Sequence, residues 1–166
     1  MSGVTIRRLR DAHEVDQCAR MMAGSEPWRT LRRDYAASRQ TIGDPVKEAY
    51  LADFAGTIVG FVVINMTGAF VGYIQSICVA AAWRGRGVGA ALLGHVEDRI
   101  LREVPNVFIC VSSFNPRVQG LYERRGYAVV GELPDFIVAG HAEMLLRKTI
   151  APLAEFQRPP VRGTDH

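Results

Sequence analysis

The sequence is poor in cysteine, in lysine and in long apolar runs, and each shortage argues against a class of protein. Its 166 residues include only three cysteines, Cys18, Cys78 and Cys110, and none of them belongs to a C-x-x-C pair. This spacing fits neither a disulfide framework nor a zinc site, so we expect buried, reduced thiols and no bound metal. The longest apolar stretches, such as residues 58–64, have the length of a strand, so no membrane span is expected.

The first residues also lack the apolar core of a secretory signal, because they lead directly into an alternation of polar and apolar residues. A cytoplasmic location is therefore the expectation. Only two of the 20 basic residues are lysines, and the net charge is +3 with a pI near 9.0. The arginines are scattered, without the basic stripe that is typical of nucleic-acid binding. They either cover a solvated surface or include ligands for a polyanion, since guanidinium groups fit phosphates.

The periodicity of apolar residues predicts one α/β domain with a mixed, mostly antiparallel sheet flanked by helices. We assign this domain to residues 1–150 and expect a flexible, proline-containing tail over 151–166. The predicted order is β-α-α-β-β-β-α-β-α-β-β. One central βαβ crossover, in which a helix joins two parallel strands, is expected between residues 71 and 111. The second helix is expected to begin within residues 25–28 and to end before Gly43.

A glycine-rich turn between a strand and a helix is the most informative segment. A predicted strand leads into a loop that holds Gly85, Gly87 and Gly89, and an amphipathic helix follows. Glycines let a ligand approach the backbone, and the first turn of the helix offers unpaired N–H groups and the positive end of the helix dipole. Arg84 and Arg86 add positive charge, so the turn is predicted to bind an anion.

Two common phosphate-binding motifs do not fit this turn. The spacing Gly85-x-Gly87-x-x-Ala90 matches a loose dinucleotide fingerprint, but that fingerprint belongs in the first strand–helix turn of a fold. Here three predicted strands come earlier, and the next strand ends in Ser112 and Ser113 where an acidic residue is required. No lysine followed by serine or threonine completes a P-loop. A nicotinamide- or ATP-dependent enzyme is therefore disfavoured.

Two segments resemble the GNAT superfamily of N-acetyltransferases. Residues 84–89, Arg-Gly-Arg-Gly-Val-Gly, are similar to the acyl-CoA motif Q/R-x-x-G-x-G/A of that superfamily. Residues 115–127 are similar to its N-x-x-A-x-x-L-Y-x-x-x-G-F segment, with Gln119 and Gly120 departing near the usual small residue. The resemblance covers residues 4–148, and it is strong over residues 73–127.

The resemblance implies acetyl-CoA as co-substrate and an amine as acceptor. In that family the diphosphate lies on the glycine turn, and the pantetheine arm pairs with the preceding strand like an additional strand. The residues that this assigns to the cofactor are Ile77, Cys78, Val79, Arg84, Gly85, Arg86, Gly87, Val88, Gly89, Ala90 and Asn115. Asn115 then faces the cofactor arm, although a plain role as N-cap of the following helix explains it equally well.

Tyr122 is the residue that we expect to be catalytic. Either it is a core aromatic residue beside Val118 and Leu121, or it protonates the departing thiolate of coenzyme A. Such a thiolate has a basicity like that of cysteine, with a pKa of about 8.5, and a phenol with a pKa of about 10 is a matched donor. Direct transfer in a ternary complex is favoured over an acyl-enzyme, because no base or cation is adjacent in sequence to Cys78 or Cys110.

The group that deprotonates the amine is left open. A pH of 7 is roughly three units below the pKa of a lysine-like amine, so removing the proton from that amine costs about 4 kcal/mol. Many relatives carry a carboxylate on the central strand for this step, but the matching stretch here holds Gln75 and Ser76. The alternatives are Glu26, Glu132 and Asp135, or a water chain polarised by Gln75, Ser76 or backbone carbonyls.

The acceptor itself is also left open. The residues assigned to the substrate are Glu26, Trp28, Tyr73, Gln75 and Asp135, although a tryptophan in the position of Trp28 is more often a core anchor than a substrate platform. Small polyamines, aminoglycosides, amino acids and peptide N-termini are all compatible with the sequence. A non-catalytic acyl-CoA sensor is the alternative function, because the central strand lacks a carboxylate. Exposed strands at the end of the sheet suggest a homodimer.

Overall fold

The structure is a computed structural model that describes residues 3–160. This part of the chain contains seven strands and four α-helices. The strands are β1 (Val4–Arg8), β2 (Glu48–Phe54), β3 (Thr57–Asn65), β4 (Tyr73–Val79), β5 (Asn106–Ser112), β6 (Ala128–Pro134) and β7 (Ala142–Thr149). The helices are α1 (Ala12–Ala23), α2 (Tyr35–Ile42), α3 (Val88–Leu101) and α4 (Pro116–Glu123), with short 3-10 helices over Ala81–Trp83 and Leu153–Glu155.

The strands form one sheet in the order β1-β2-β3-β4-β5-β7-β6. Within residues 3–160, β4 and β5 are the parallel pair, joined by the α3 crossover, and the other neighbours are antiparallel. This confirms the predicted mixed, mostly antiparallel sheet with one central βαβ unit. The order also places β7 between β5 and β6, which the element order along the chain does not reveal.

Helices cover the sheet from both sides. On one side, which we call the α3 face, Leu92 and Val96 of α3 are fully buried and pack with Ile74 of β4; α4 contributes to the same core. On the other side, the α1 face, Cys18 of α1 packs against Phe61 of β3, and α2 contributes to that core. Fully burying one large apolar side chain contributes about 1.5–3 kcal/mol, so these two cores hold the layers together.

The second helix begins later than expected. Residues 25–33 form a succession of turns, and α2 starts after Asp34, whose carboxylate accepts a hydrogen bond from the backbone N–H of Ala37 at 2.9 Å. Arg32 has a φ of 54°, which lies outside the right-handed helical region. The expectation of a helix start within residues 25–28 is therefore wrong, because the chain turns there before Asp34 provides the actual N-cap.

A buried carboxylate anchors the start of α1. Asp11 is the N-cap residue, and its side chain accepts a hydrogen bond from the backbone N–H of Glu14 at 3.0 Å. The carboxylate of Glu14 in turn accepts hydrogen bonds from Nη2 of Arg7 at 2.8 Å and Nη2 of Arg10 at 2.9 Å. The Arg7 hydrogen bond, supported by Arg10, lowers the pKa of Glu14 to about 2. Charge pairing therefore joins α1 to β1.

Beyond β7 the described chain continues to residue 160 with one short 3-10 helix. The backbone N–H of Ile150 donates to the carbonyl of Pro105 at 3.0 Å, so the chain is still hydrogen-bonded to the domain at that point. The predicted boundary at residue 150 and the flexible tail stay predictions, and residues 161–166 lie outside the described part.

Candidate functional site

The two parallel strands in the middle of the sheet separate along their length. β4 and β5 pair only at Tyr73 with Phe108 and at Ile74 with Ile109. Within the described residues, the remainder of β4 and the remainder of β5 are not paired with each other, so an opening lies between them that we call the slot. Unpaired strand edges of this kind can pair with an extended ligand.

Gly72 closes the narrow end of the slot. Its φ is +88°, and a Cβ at this position would lie 2.5 Å from the carbonyl oxygen of Asn106 and 2.6 Å from Cγ2 of Ile100. The carbonyl of Gly72 also accepts a hydrogen bond from the N–H of Phe108 at 3.0 Å. Because only glycine fits this close approach, Gly72 determines where the two strands meet.

A β-bulge at Gln75 changes the direction of side chains along β4. The pairing of β4 with β3 shifts by one at this point, which makes Gln75 an extra residue on β4. Successive side chains of a strand point to alternate faces of the sheet. One extra residue therefore moves every later side chain of β4 to the opposite face from the one that strict alternation would give it. As a result, Tyr73, Gln75 and Ser76 line one cavity on the α1 face, whereas Ile77 and Val79 pack on the α3 face.

The predicted anion-binding turn lies between the end of β4 and the start of α3. Gly85 and Gly87 have φ values of 71° and 81°, and Gly87 is the N-cap residue of α3. No side chain within residues 3–160 caps this end, so the N–H groups of Val88, Gly89 and Ala90 have no intrahelical acceptor. The turn therefore presents free donors and the positive end of the α3 dipole to a ligand.

Two exposed arginines flank this turn. Nε of Arg84 donates a hydrogen bond to the carbonyl of Val79, the last residue of β4, at 3.1 Å. The guanidinium of Arg86 lies over the ring of Trp83, 5.4 Å from its centroid. Both side chains are exposed and so remain accessible to an anion. The cofactor residues predicted in the turn thus adjoin those predicted at the end of β4.

Asn115 is the N-cap residue of α4 by position, and Pro116 follows it as the first helical residue. The side chain of Asn115 makes no capping hydrogen bond within the described part of the chain. The amide group therefore does not act as a plain side-chain cap, and its contact with the cofactor arm stays a prediction.

Tyr122 lies in the core of the α3 face. Its side chain is 4% exposed, and its ring meets that of Tyr127 edge-on at a centroid distance of 5.3 Å. Burial raises the pKa of the Tyr122 phenol, and the negative charge of Glu97 raises it further. The phenol consequently stays protonated at neutral pH. Tyr122 is therefore a core residue, and its role as a proton donor stays a prediction.

A cavity of about 320 Å³ opens on the α1 face beside the slot. Of the residues predicted to bind substrate, it brings together Trp28, Tyr73 and Gln75. Trp28 also packs against the α1-face core, as expected of a core anchor, and its contact with a substrate stays a prediction. Arg33 lines the same cavity, which the sequence did not indicate.

The acidic residues considered from the sequence do not line this cavity. Oε2 of Glu26 accepts a hydrogen bond from the hydroxyl of Thr30 at 2.8 Å, and Oδ1 of Asp135 accepts one from the N–H of Gly140 at 2.7 Å. Glu132 is exposed on β6. The structure therefore does not bring Glu26, Glu132 or Asp135 to the cavity wall.

The structure instead adds a carboxylate that the sequence analysis did not consider as a base. Glu143 of β7 is 3% exposed, and its Oε1 accepts a hydrogen bond from the hydroxyl of Ser112 at 2.7 Å. Burial raises the pKa of Glu143, although Ser112 and His141 act in the opposite direction. The only signal for it in the sequence is a single acidic residue beside the apolar residues 144–146 of the final strand.

A second cavity, of about 380 Å³, is larger than the first, but none of its lining residues belongs to β4, β5 or the glycine turn. Its basic side chains already have partners: Arg10 pairs with Glu14, and Arg39 pairs with Asp16. The larger cavity is therefore not part of the candidate site, which consists of the slot, the glycine turn and the smaller cavity beside them.

The thiols and the possible metal ligands are dispersed. Cys18 and Cys78 are buried, Cys110 is half-buried, and all three are free. Among residues 3–160, no group of three His, Cys, Asp or Glu side chains could hold a metal ion. Each helix in that same range is too short or too polar to cross a bilayer.

Comparison with known proteins agrees with this geometry. The model of the acetyltransferase (GNAT) family matches residues 9–127. An uncharacterized protein of Mycobacterium leprae (strain TN) is 28% identical over an alignment of 142 residues that covers 81% of this chain and 38% of that protein. The chain therefore spans 38% of the length of this curated relative.

Two solved structures show the same fold. The ribosomal-protein-S18-alanine N-acetyltransferase from Escherichia coli superposes with a TM-score of 0.72 and 17% identity, covering 93% of this chain and 98% of that one. An aminoglycoside 6'-N-acetyltransferase complexed with coenzyme A gives 0.70 and 16% identity, covering 89% of this chain and 98% of that one. Since the family match extends over more than half of the sequence, the chain belongs to the acetyltransferase (GNAT) family.

Proposed function

We propose that this protein is an acetyl-CoA-dependent N-acetyltransferase, which moves an acetyl group to a primary amine by direct transfer in a ternary complex. The observation that carries the proposal is the open slot between β4 and β5 with an uncapped glycine turn at its end. An extended acyl carrier with an anionic end fits both features, because the slot offers strand pairing and the turn offers N–H donors. Family membership supports the same activity.

On this proposal the residues of the turn and of β4 divide the cofactor between them. The diphosphate of coenzyme A lies against backbone N–H groups of residues 84–90, with Arg84 and Arg86 supplying charge. The pantetheine arm pairs with the backbone of residues 77–79, and the unengaged amide of Asn115 faces that arm. Specificity for the cofactor therefore depends mainly on backbone groups, which substitutions of exposed side chains leave in place.

Tyr122 is proposed to protonate the departing sulfur. Burial keeps its phenol in the protonated form that such a donor needs. The same burial makes Tyr122 a weaker acid than a free phenol, so its proton moves only as the C–S bond breaks and the sulfur gains negative charge. This timing suits direct transfer without a free thiolate intermediate.

The acceptor that we propose is a small molecule or peptide with one amine on a largely apolar body. Trp28, Phe136 and Ile137 supply apolar surface to the cavity beside the slot. Arg33 belongs to the same wall. Its guanidinium donates a hydrogen bond to the neutral hydroxyl of Thr41, at 3.4 Å, so its charge remains to repel a second ammonium group. Amino-acid and peptide amines are therefore favoured over polyamines and aminoglycosides.

An acetylation screen tests this function. Acetyl-CoA binding is measured by calorimetry, and free thiol release is followed with amino acids, short peptides, spermidine and an aminoglycoside. We expect binding, thiol release and an N-acetylated product, with faster turnover for the amino-acid and peptide amines. Stoichiometric binding without turnover of any amine would support the alternative of a non-catalytic acyl-CoA sensor.

A substitution in the turn tests the location of the cofactor. Gly89→Glu places a carboxylate in the first turn of α3, which favours the helix but repels a diphosphate. Its Cβ would lie 3.6 Å from Cγ2 of Val79, an ordinary contact. We expect the Kd for acetyl-CoA to rise by at least about tenfold without a lower Tm. Gln17→Glu makes the same charge change on exposed α1 and should leave the Kd unaltered; equal Kd values for both variants contradict the site.

A further inference from the structure

Glu143 is a buried carboxylate for which the mechanism above has no role. We propose that Glu143 takes the proton from the acceptor amine before that amine attacks the thioester, an inference that rests on the proposed acetyl transfer. The sequence left this step open between three other carboxylates and a water chain, and none of those carboxylates lines the cavity beside the slot, which we call the acceptor cavity. Glu143 does not line this cavity either, but its charge acts on Tyr73, which does.

β7 places Glu143 on the same face of the sheet as the acceptor cavity. Its neighbour Met144 packs with the α3-face core, so the alternation of side chains directs Glu143 to the α1 face. Val111 belongs to the α3-face core, so the next residue of β5, Ser112, also lies on the α1 face. Glu143 and Ser112 are register partners at the end of β5 that has separated from β4. The carboxylate therefore lies one strand away from the slot and contacts Ser112, which stands at the open end of the slot.

The two oxygens of this carboxylate have different environments. Oε1 accepts the hydrogen bond from Ser112 at 2.7 Å. Within residues 3–160, Oε2 has no hydrogen-bond partner. This oxygen is nevertheless accessible to solvent. One oxygen is thus fixed by Ser112, while the other is free to accept a proton.

The surroundings of Glu143 come from the strands and the loop packed against it. These neighbours are Tyr73 of β4, Cys110 and Ser112 of β5, Leu133 of β6 and His141 before β7. Burial raises the pKa of Tyr73 and of Cys110, and the negative charge of Glu143 raises both further, so both are neutral at pH 7. Burial likewise raises the pKa of Glu143, which brings this base closer to the working pH.

The proposed step conserves protons and charge. The acceptor arrives as R–NH3+, and Glu143 takes one proton to give R–NH2 and a neutral carboxylic acid. The nitrogen forms a C–N bond to the carbonyl carbon, the C–S bond breaks, and Tyr122 gives its proton to the sulfur. Tyr122 then regains a proton from the nitrogen, which leaves the N-acetyl product and a free thiol. Glu143 finally releases its proton to solvent.

Glu143→Gln provides the central test, because the amide keeps the shape and can still accept from Ser112 but cannot take up the proton. The variant and the wild type are compared with an alkylamine acceptor and with its β,β-difluoro analogue, a weaker base that needs less help to lose its proton. We expect kcat/KM for the alkylamine at pH 7 to fall by about 100-fold, and that for the analogue to fall by less than about tenfold. The affinity for acetyl-CoA should be unchanged.

The pH profile provides a readout that a merely structural role would not alter. In the wild type, kcat/KM should rise through an acid limb that reports the ionisation of Glu143, and this limb should be missing in Glu143→Gln. Ser112→Ala removes a hydrogen bond that favours the ionised carboxylate, so it should move the limb to higher pH with a smaller loss of maximal rate. Ser112 is a positioning residue in this scheme.

The outcomes separate this inference from the function on which it rests. Glu155→Gln makes the same change at an exposed carboxylate beyond β7 and should behave as wild type. If the wild type acetylates the alkylamine and Glu143→Gln keeps both the rate and the acid limb, Glu143 is not the base although the function stands. If the wild type releases no thiol with any amine, the function itself fails. Melting curves of each variant distinguish a lost rate from a lost fold.

Discussion

Two tyrosines in contact on the α3 face differ in what their hydroxyl groups do. The Tyr127 hydroxyl donates a hydrogen bond to Oε1 of buried Glu97 at 2.9 Å, whereas that of Tyr122 has no protein partner within residues 3–160. Tyr122→Phe should therefore slow thiol release by about 100-fold with little change in Tm. Tyr127→Phe should do the opposite, with a cost of about 1–3 kcal/mol in the free energy of unfolding and a nearly normal rate.

This pair of variants serves as its own control, because both changes remove one buried phenolic oxygen from the same core. Rates come from thiol release at saturating acetyl-CoA, and stabilities come from urea titration. If Tyr122→Phe turns over as fast as the wild type, Tyr122 is only a core residue.

Residues differ in how far the sequence alone reveals their role. The glycine turn could be predicted because its signal is local: a run of alternate glycines enters an amphipathic helix, and Gly87 indeed forms the N-cap of α3. Glu143 could not be singled out in this way. Its partner Ser112 is 31 residues away along the chain, and only the strand register brings the two together.

At the level of the elements, the junction of β4 and β5 depends on the glycine at its narrow end. Gly72→Ala would force a Cβ to 2.5 Å from a backbone oxygen at a φ of +88°. Gly68→Ala is the matched control, since Gly68 has a φ of +80° and its added Cβ would meet no atom within 4 Å. The control should cost about 1–2 kcal/mol for the conformation alone.

We expect Gly72→Ala to cost more than that control, because crowding is added to the same backbone strain. Chemical denaturation of both variants measures the difference. Equal losses of stability would show that the strands are not in close contact at Gly72.

The anchor between α1 and β1 should depend on pH. The pKa of Glu14 falls from the usual 4.5 to about 2 in the folded protein, so folding favours the ionised form. Its stabilisation is fully present above pH 4.5 and is lost as the pH falls toward 2. Glu14→Gln should therefore reduce the free energy of unfolding by about 1–3 kcal/mol at pH 7, with the difference from wild type vanishing at low pH.

Unfolding free energies measured at several pH values check this expectation. Glu123→Gln alters an exposed carboxylate whose hydrogen bond is to Gln119, and it should show no such dependence. A deficit of Glu14→Gln that stays constant down to pH 2 would contradict the role of the charge.

Elements with regular periodicity were predictable, and irregular ones were not. Apolar residues at intervals of four predicted α3, and all of their side chains are buried: Val88, Leu92, Val96 and Ile100. The segment before α2 misled because proline signals both a helix start and a turn. The bulge at Gln75 has no local signal, since it follows from how β3 and β4 pair.

On the scale of the whole molecule, the order of the strands could not be deduced from their order along the chain. A hairpin of β6 and β7 can attach to β5 through either strand, and the choice of β7 depends on packing over the entire sheet. That choice brings Glu143 next to Ser112, so the most specific feature of the candidate site is a consequence of topology.

The predicted end of the domain can be tested by truncation. A chain ending at Ala151 retains the hydrogen bond from Ile150 to Pro105 at 3.0 Å and that from the Thr149 hydroxyl to the carbonyl of Ala151 at 3.1 Å. We expect its Tm and its affinity for acetyl-CoA to stay close to those of the full chain. Loss of either would place part of residues 152–166 within the functional domain.

The bulge at Gln75 has an evolutionary consequence. One inserted residue lets a single strand present Tyr73, Gln75 and Ser76 to the acceptor cavity and Ile77 and Val79 to the opposite core. Mutations that diversify the first group need not disturb the second. Substitutions in the wall of the proposed acceptor cavity can thus accumulate without disturbing the packing of the segment that is proposed to pair with the acyl donor.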